Sequence, residues 1–185
     1  MYFRLFYKTE IQGLENIPLE GGLIIACNHV SNFDPPLAGG FTDLKRDSVY
    51  FIKKEILSWP LIGWVFGGKK FIPVDRYKPG GDLGSLKAAL KVLKSGGSLF
   101  IFPEGTRSKT GGPGRAKQGV GFLAYYGGVP IVPARVINTE KLPFTRRVRL
   151  IVGKPFTLKP DENTPAKEQL QQFADKVMDE INKLN

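Results

Sequence analysis

The sequence predicts an α/β fold, with a central sheet, largely parallel or mixed, flanked by helices. Three observations predict it. Short continuous apolar runs recur along the chain, as in strands buried on both faces. Between and after them lie stretches with leucines or other apolar residues at helical spacing, or with a glycine pair that closes a helix. A length of 185 residues, 42% hydrophobic and 24% charged, suits one compact domain with a proper core rather than a disordered chain. Strands alternating with helices pack as a layered α/β sandwich. No repeat or linker divides the chain, so residues 1–185 are read as a single domain.

Each element has a local reason. Leu23–Cys27 is a continuous apolar run after a glycine pair, the pattern of a buried strand. Val49–Ile52 and Lys70–Val74 read as two more strands. From Leu83 to Leu93, residues Leu83, Leu86, Leu90 and Leu93 share one helical face, and Ser95-Gly96-Gly97 stops the helix. Ser98–Phe102 is the next buried strand. Gly119–Tyr126 reads as a helix closed by Gly127-Gly128, and Pro130–Ile137 as a strand. Arg147–Val152 alternates charged and apolar residues, as an edge or half-exposed strand would. From Lys167 to Leu184, residues Leu170, Phe173, Val177, Ile181 and Leu184 form one stripe of an amphipathic helix.

Composition removes several function classes. The single cysteine, Cys27, excludes an internal disulfide framework and a multi-thiolate zinc site. The single histidine, His29, excludes a metal site built on two imidazoles; no metal is expected. With 27 Lys plus Arg against 17 acids, the net charge of +10 calls for anionic partners: phosphates, nucleic acid, acidic proteins or a phospholipid surface. Two long uncharged runs, Ile56–Gly68 and Gln118–Ala134, do not span a bilayer. The first is shorter than the roughly 20 residues required, and the second is broken by Gly127, Gly128, Pro130 and Pro133. The aromatic segment Met1–Tyr7 is too short and interrupted for a secretory signal. Residues 1–10 are read as the remnant of, or substitute for, a membrane anchor.

Four blocks carry chemistry. The segment Cys27-Asn28-His29-Val30-Ser31-Asn32-Phe33-Asp34-Pro35-Pro36 directly follows the first buried strand, and sites in open α/β sheets form beyond the carboxyl ends of strands. His29 and Asp34 would lie about 140° apart on a regular helix and out of contact. The turn formers Asn28, Ser31 and Asn32 allow the chain to fold the carboxylate back onto the imidazole. An Asp accepting from one ring N–H fixes the tautomer and frees the other nitrogen as a general base. The alternative is that Asp34 caps a helix beginning at Pro35 and His29 is a loop residue.

Phe102-Pro103-Glu104-Gly105-Thr106-Arg107-Ser108 follows another strand. Its Pro and Gly shape a tight turn whose free N–H groups favour an anion, while Glu104 and Arg107 bond each other or a substrate. The alternative is an ordinary β-turn with a surface ion pair. Phe71-Ile72-Pro73-Val74-Asp75-Arg76 places a guanidinium just past a strand, suited to bidentate phosphate contact or to a surface pair with Asp75. Val129-Pro130-Ile131-Val132-Pro133 is an apolar strand with two prolines, which by itself indicates an edge or irregular strand.

In this order the four blocks, NHVSNFD, FIPVDR, FPEGTRS and VPIVP, resemble those of the glycerolipid acyltransferases, and most closely the bacterial 1-acylglycerol-3-phosphate (lysophosphatidate) acyltransferases. The resemblance runs from about Ile11 to Pro160. It extends to Gly13–Pro18, Lys53-Lys54-Glu55 and Lys117-Gln118-Gly119.

It implies that an acyl group passes from a thioester to the sn-2 hydroxyl of 1-acylglycerol 3-phosphate, giving phosphatidic acid. His29 would be the general base and Asp34 its partner. Arg76, Glu104, Gly105, Thr106 and Arg107 match positions associated with the acceptor's glycerol phosphate. Lys54 and Lys117 are candidates for the pocket or for the oxyanion. Val129, Pro130, Ile131, Val132 and Pro133 are associated with the acyl-donor side. Direct attack needs no acyl-enzyme, so Cys27 is read as a strand residue, and no cofactor is implied beyond the co-substrate, acyl carrier protein or acyl-coenzyme A. The +10 charge suits either donor.

Both tryptophans, Trp59 and Trp64, fall between the pairs Lys53-Lys54 and Lys69-Lys70. Trp at headgroup depth with Lys reaching phosphates suits a monotopic seat on an anionic membrane, peripheral on the cytoplasmic face; a buried helix, or the wall of an acyl-chain tunnel, is the other reading. Many members of the family carry an additional N-terminal membrane helix or helix pair; here only about ten residues precede the Gly13-Leu14-Glu15 segment, which implies weaker attachment or a truncated chain. Acylation of glycerol 3-phosphate, another lysophospholipid or an amino-lipid would use the same blocks. A non-enzymatic membrane- or nucleic-acid-binding module would explain the charge but not the polar turns at strand ends. No nucleic-acid motif is present, so none is expected as a partner.

Overall fold

The computed structural model describes residues 8–58, 70–75, 77–78, 81–108, 114–145 and 147–185. Among them seven strands form one sheet: β1 (Lys8–Gln12), β2 (Leu23–Cys27), β3 (Ser48–Lys53), β4 (Phe71–Val74), β5 (Ser98–Ile101), β6 (Ile131–Ile137) and β7 (Arg147–Val152), in the order β1-β7-β6-β2-β5-β3-β4. Every pairing is parallel except β6 with β7. The sheet is therefore mixed but mostly parallel, as the alternation of elements predicts. Among the described residues the three long helices are α1 (Leu83–Lys94), α2 (Gln118–Gly127) and α3 (Ala166–Asn182).

β2 lies at the centre and is buried throughout. Because successive side chains point to opposite faces, Leu23, Ile25 and Cys27 enter one core layer while Ile24 and Ala26 enter the other. The second layer is covered by α1, α2 and α3 through Ala89, Leu93, Val120, Leu123, Phe173 and Val177. The first is covered by a short helical segment, Pro35–Gly39 continued by Gly40–Thr42, through Leu37, Ala38 and Phe41. On α1 three leucines of the expected face, Leu86, Leu90 and Leu93, pack on this layer, with Ser85 and Ala89 buried beside them, while Leu83 is 56% exposed. Ser85 turns inward because its hydroxyl bonds the Pro73 carbonyl and the Asp82 carboxylate.

Two strand expectations are corrected. β6 is an interior strand despite its prolines. The missing N–H of Pro133 costs no bond there, because Pro133 faces the break between the Ile131–Phe156 bridge and the β6–β7 ladder, where its carbonyl accepts the Gly153 N–H at 2.8 Å. β7 is half-exposed only at its start and is not an edge, since β1 pairs along it. β1, a strand not expected from the sequence, lies at the sheet edge and is alternately exposed along its length. Among the described residues no helix is long and apolar enough to cross a membrane. Trp59, Trp64, Arg76 and Met1–Tyr7 lie outside the described residues.

Candidate functional site

Five parallel strands end at the same edge of the sheet, so the segments after β2, β5, β6, β3 and β4 share that edge. At its centre, the turn after β2 folds Asp34 back onto His29. The His29 Nδ1 to Asp34 Oδ2 distance is 2.9 Å. Oδ2 also accepts the backbone N–H groups of Val30 at 2.7 Å and Ser31 at 2.6 Å. Asp34 makes no side-chain cap to the helical segment that follows it. Its carboxylate serves the loop and the imidazole, which decides between the two readings of this block.

Asp34 is fully buried and the His29 side chain is 15% exposed. With an ionised Asp34, Nδ1 carries the proton and Nε2 keeps its lone pair. Nε2 makes no hydrogen bond among the described residues. Phe102 stacks on the ring, with centroids 4.1 Å apart and planes 20° from parallel. The imidazole is thus held in its plane by an aromatic face and in its tautomer by a carboxylate.

The turn after β5 supports the same loop. Glu104 is buried, and its Oε1 accepts the His29 backbone N–H at 3.1 Å. The Ser108 N–H donates to the His29 carbonyl at 2.9 Å. Burial pushes the Glu104 carboxyl above the usual carboxylate range, an effect offset in part by backbone N–H groups and by the imidazole. Glu104 Oε2 accepts no hydrogen bond among the described residues. Gly105 adopts a left-handed φ of 68°, and a Cβ there would lie 3.0 Å from the Lys117 side chain. The tight turn therefore needs glycine for its backbone and for the approach of Lys117.

Thr106, Arg107 and Lys117 are exposed around this turn. Lys54, at the end of β3, lines a cleft of about 480 Å³ with Pro73, Asp75, Tyr77, Lys78 and Asp82. Asp82 is held at about 2 by the N–H of Asp75 and by the hydroxyl and N–H of Ser85. Of the fourth block, Val129 and Pro130 are half-buried at the start of β6, and Ile131, Val132 and Pro133 are buried within it. The structure thus brings His29, Asp34 and Glu104 into contact. Arg107, Lys54 and Lys117 stand at the same edge of the sheet.

Three further residues hold this site. Asn28 is a clamp rather than a free turn former: its Oδ1 accepts the Val136 N–H at 2.8 Å and its Nδ2 donates to the Val136 carbonyl at 3.1 Å. Phe102 is recognisable in the sequence only as a strand-end aromatic. Thr139 donates its hydroxyl to Asp34 Oδ1 at 2.5 Å across 105 residues of chain, and no local pattern marks it. Cys27 is fully buried; its thiol is pushed well up by burial and by the Asp34 and Glu104 carboxylates, so it is a core residue and not a nucleophile.

Comparison with known proteins agrees with this arrangement. A profile of the Acyltransferase family matches residues 8–137. A 1-acyl-sn-glycerol-3-phosphate acyltransferase of Bacillus subtilis (strain 168) is 31% identical over 179 residues, which is 95% of this chain and 87% of that protein. The chloroplastic 1-acyl-sn-glycerol-3-phosphate acyltransferase BAT2 of Brassica napus is 38% identical over 162 residues, 82% of this chain. The chain spans 46% of the length of that relative. The crystal structure of the 1-acyl-sn-glycerophosphate acyltransferase PlsC from Thermotoga maritima matches with a TM-score of 0.73 at 26% identity, covering 98% of this chain and 74% of that one. The matched stretch runs from β1 to the end of β6 and contains both His29 and Asp34, and on that ground the chain belongs to the acyltransferase family.

Proposed function

We propose that the protein transfers a fatty acyl group from a thioester to the sn-2 hydroxyl of 1-acylglycerol 3-phosphate, forming phosphatidic acid. The observation that carries this reading is the His29–Asp34 pair at the carboxyl edge of the sheet, with Nε2 unengaged among the described residues. The names of the matched relatives support the acceptor.

In this mechanism Nε2 of His29 removes the acceptor's hydroxyl proton as the oxygen attacks the thioester carbonyl. The imidazolium formed is stabilised by buried Asp34. Collapse of the tetrahedral intermediate breaks the C–S bond, and the proton passes from the imidazolium to the departing sulfur. The thioester supplies the driving force, so the step needs no cofactor. Arg107, with Arg76, is assigned to the acceptor's phosphate, and Lys54 or Lys117 to the pocket around the developing oxyanion. In support, Arg107 and Lys117 flank the turn whose Glu104 holds the His29 backbone, and Lys54 follows β3 at the same edge of the sheet. The donor is an acyl carrier protein or acyl-coenzyme A thioester, and the site of action is the cytoplasmic face of a membrane, with the protein peripheral. Supporting that seat, the loop after Thr139 presents Phe144, 96% exposed, between exposed Lys141 and Arg147.

The test is thiol release from acyl carrier protein and coenzyme A thioesters across a panel of lysolipid acceptors and glycerol 3-phosphate. His29→Ala is expected to abolish turnover with the fold intact by circular dichroism. Arg107→Ala is expected to lose saturation by the phosphorylated acceptor. Near-normal turnover by His29→Ala would overturn the base assignment, and turnover confined to another acceptor would overturn the substrate.

A further inference from the structure

We propose that Thr139 is a positioning residue for the His29–Asp34 pair, its hydroxyl fixing the carboxylate that orients the imidazole. The proposal rests on the reading of His29 as the base. Asp34 receives three N–H groups on one oxygen, Oδ2: those of Val30, Ser31 and the His29 ring. All three come from its own turn. A carboxylate held at a single oxygen is free to swing about that point. The other oxygen, Oδ1, is bonded among the described residues by Thr139 alone, at 2.5 Å, and both residues are fully buried.

An ionised carboxylate can only accept, so the Thr139 hydroxyl must donate, in a short charge-assisted bond. Its β-branched side chain has few χ1 choices and so makes a stiff strut. The chain is shaped to deliver it. β6 ends at Ile137, and Asn138 takes a left-handed φ of 67°, a conformation that asparagine tolerates better than most residues. Thr139 then opens a short 3-10 turn, Thr139–Lys141, and the Lys141 ammonium bonds the Asn138 side-chain oxygen at 3.1 Å.

One turn away, the Asn28 amide grips both backbone groups of Val136. The carboxyl end of β6 is thereby tied to the residue before His29 and to the residue that orients it. Thr139 lies just beyond the stretch that the family profile matches. Its role comes from tertiary placement.

The experiment compares Thr139→Val and Thr139→Ser in the full, untagged chain, with Thr139→Ala as a second variant lacking the hydroxyl. The valine variant keeps shape and loses the hydroxyl; the serine variant keeps it. Steady-state thiol release is expected to show kcat lowered about 10- to 100-fold in Thr139→Val, the range typical of outer partners that orient a working ligand. KM for both substrates should stay unchanged, and Thr139→Ser should return kcat to near the wild-type rate. Melting temperatures confirm that each variant is folded at the assay temperature; should Thr139→Val not fold, the Ser and Ala variants make the same comparison.

Because His29 is the only histidine, nitrogen NMR of histidine-labelled protein in alkaline buffer reads its tautomer directly. Wild type and Thr139→Ser should show one tautomer protonated at Nδ1, and the variants without the hydroxyl a mixture. An unchanged imidazole spectrum in those variants overturns the proposal, and so does an unchanged kcat. An active His29→Ala would instead overturn the base reading, and the spectrum would still judge the Thr139–Asp34–His29 linkage.

Discussion

Glu104 is the residue whose environment departs furthest from what its neighbours in sequence suggest. Its position in the turn after β5 invites a surface ion pair with Arg107, yet it is 4% exposed and holds the His29 backbone. Burial raises its proton affinity, and this fixes the sign of a pH effect on stability. Below the ordinary carboxylate value of 4.5 the group is protonated in folded and unfolded chains alike, and folding pays no ionisation penalty. As the pH rises through the elevated folded value, the unfolded chain releases its proton more readily and stability is lost. Glu104→Gln keeps an acceptor for the His29 amide and removes the ionisation. Its melting temperature relative to wild type is therefore expected to climb with pH from 4.5 upward, measured by thermal denaturation across buffers. A flat difference would mean that the carboxyl ionises without cost.

At the scale of elements, the pairing of α2 with α3 depends on a missing side chain. A Cβ on Gly121 would lie 1.8 Å from the Leu170 carbonyl and 3.1 Å from the Ala174 nitrogen, both backbone atoms that cannot yield by a rotamer change. Gly121→Ala should push the two helices apart and loosen the layer containing Leu123, Phe173 and Val177. A loss of about 1–3 kcal/mol is expected, read as a lower denaturant midpoint with unchanged slope. Such a glycine gives no warning in the sequence, where it lies within an apolar helical stretch. The helix itself is legible, because Gly127-Gly128 closes it; Gly128 takes a left-handed φ of 58°. The same contrast holds for β6, whose prolines suggest an irregular or edge strand until the break beside Pro133 is seen.

For the whole molecule, the parallel strands direct the turns after β2 and β5 and the junction after β6 to one edge, where His29, Asp34, Glu104 and Thr139 meet. The net charge of +10 gives that molecule a general attraction to anionic lipid. If the segment bearing both tryptophans seats it there, Trp59→Ala/Trp64→Ala should float less with vesicles containing anionic phospholipid than wild type does. Equal flotation would assign binding to charge or to another surface such as that around Phe144.

The sequence by itself determined the strands and helices with local signatures, the order of the four blocks, the family resemblance and the candidacy of His29 and Asp34. These are readable because apolar runs, helical periodicity and turn chemistry act over a few residues. Only the tertiary structure decided that Asp34 orients His29 rather than capping a helix, that Glu104 and Asn28 brace the loop, and that Thr139 reaches the carboxylate. The braces and the Thr139 bond depend on contacts between segments 75 to 108 residues apart, a separation that leaves no periodic or compositional trace; the His29–Asp34 contact depends on how its own turn closes, which the turn formers permit but do not fix.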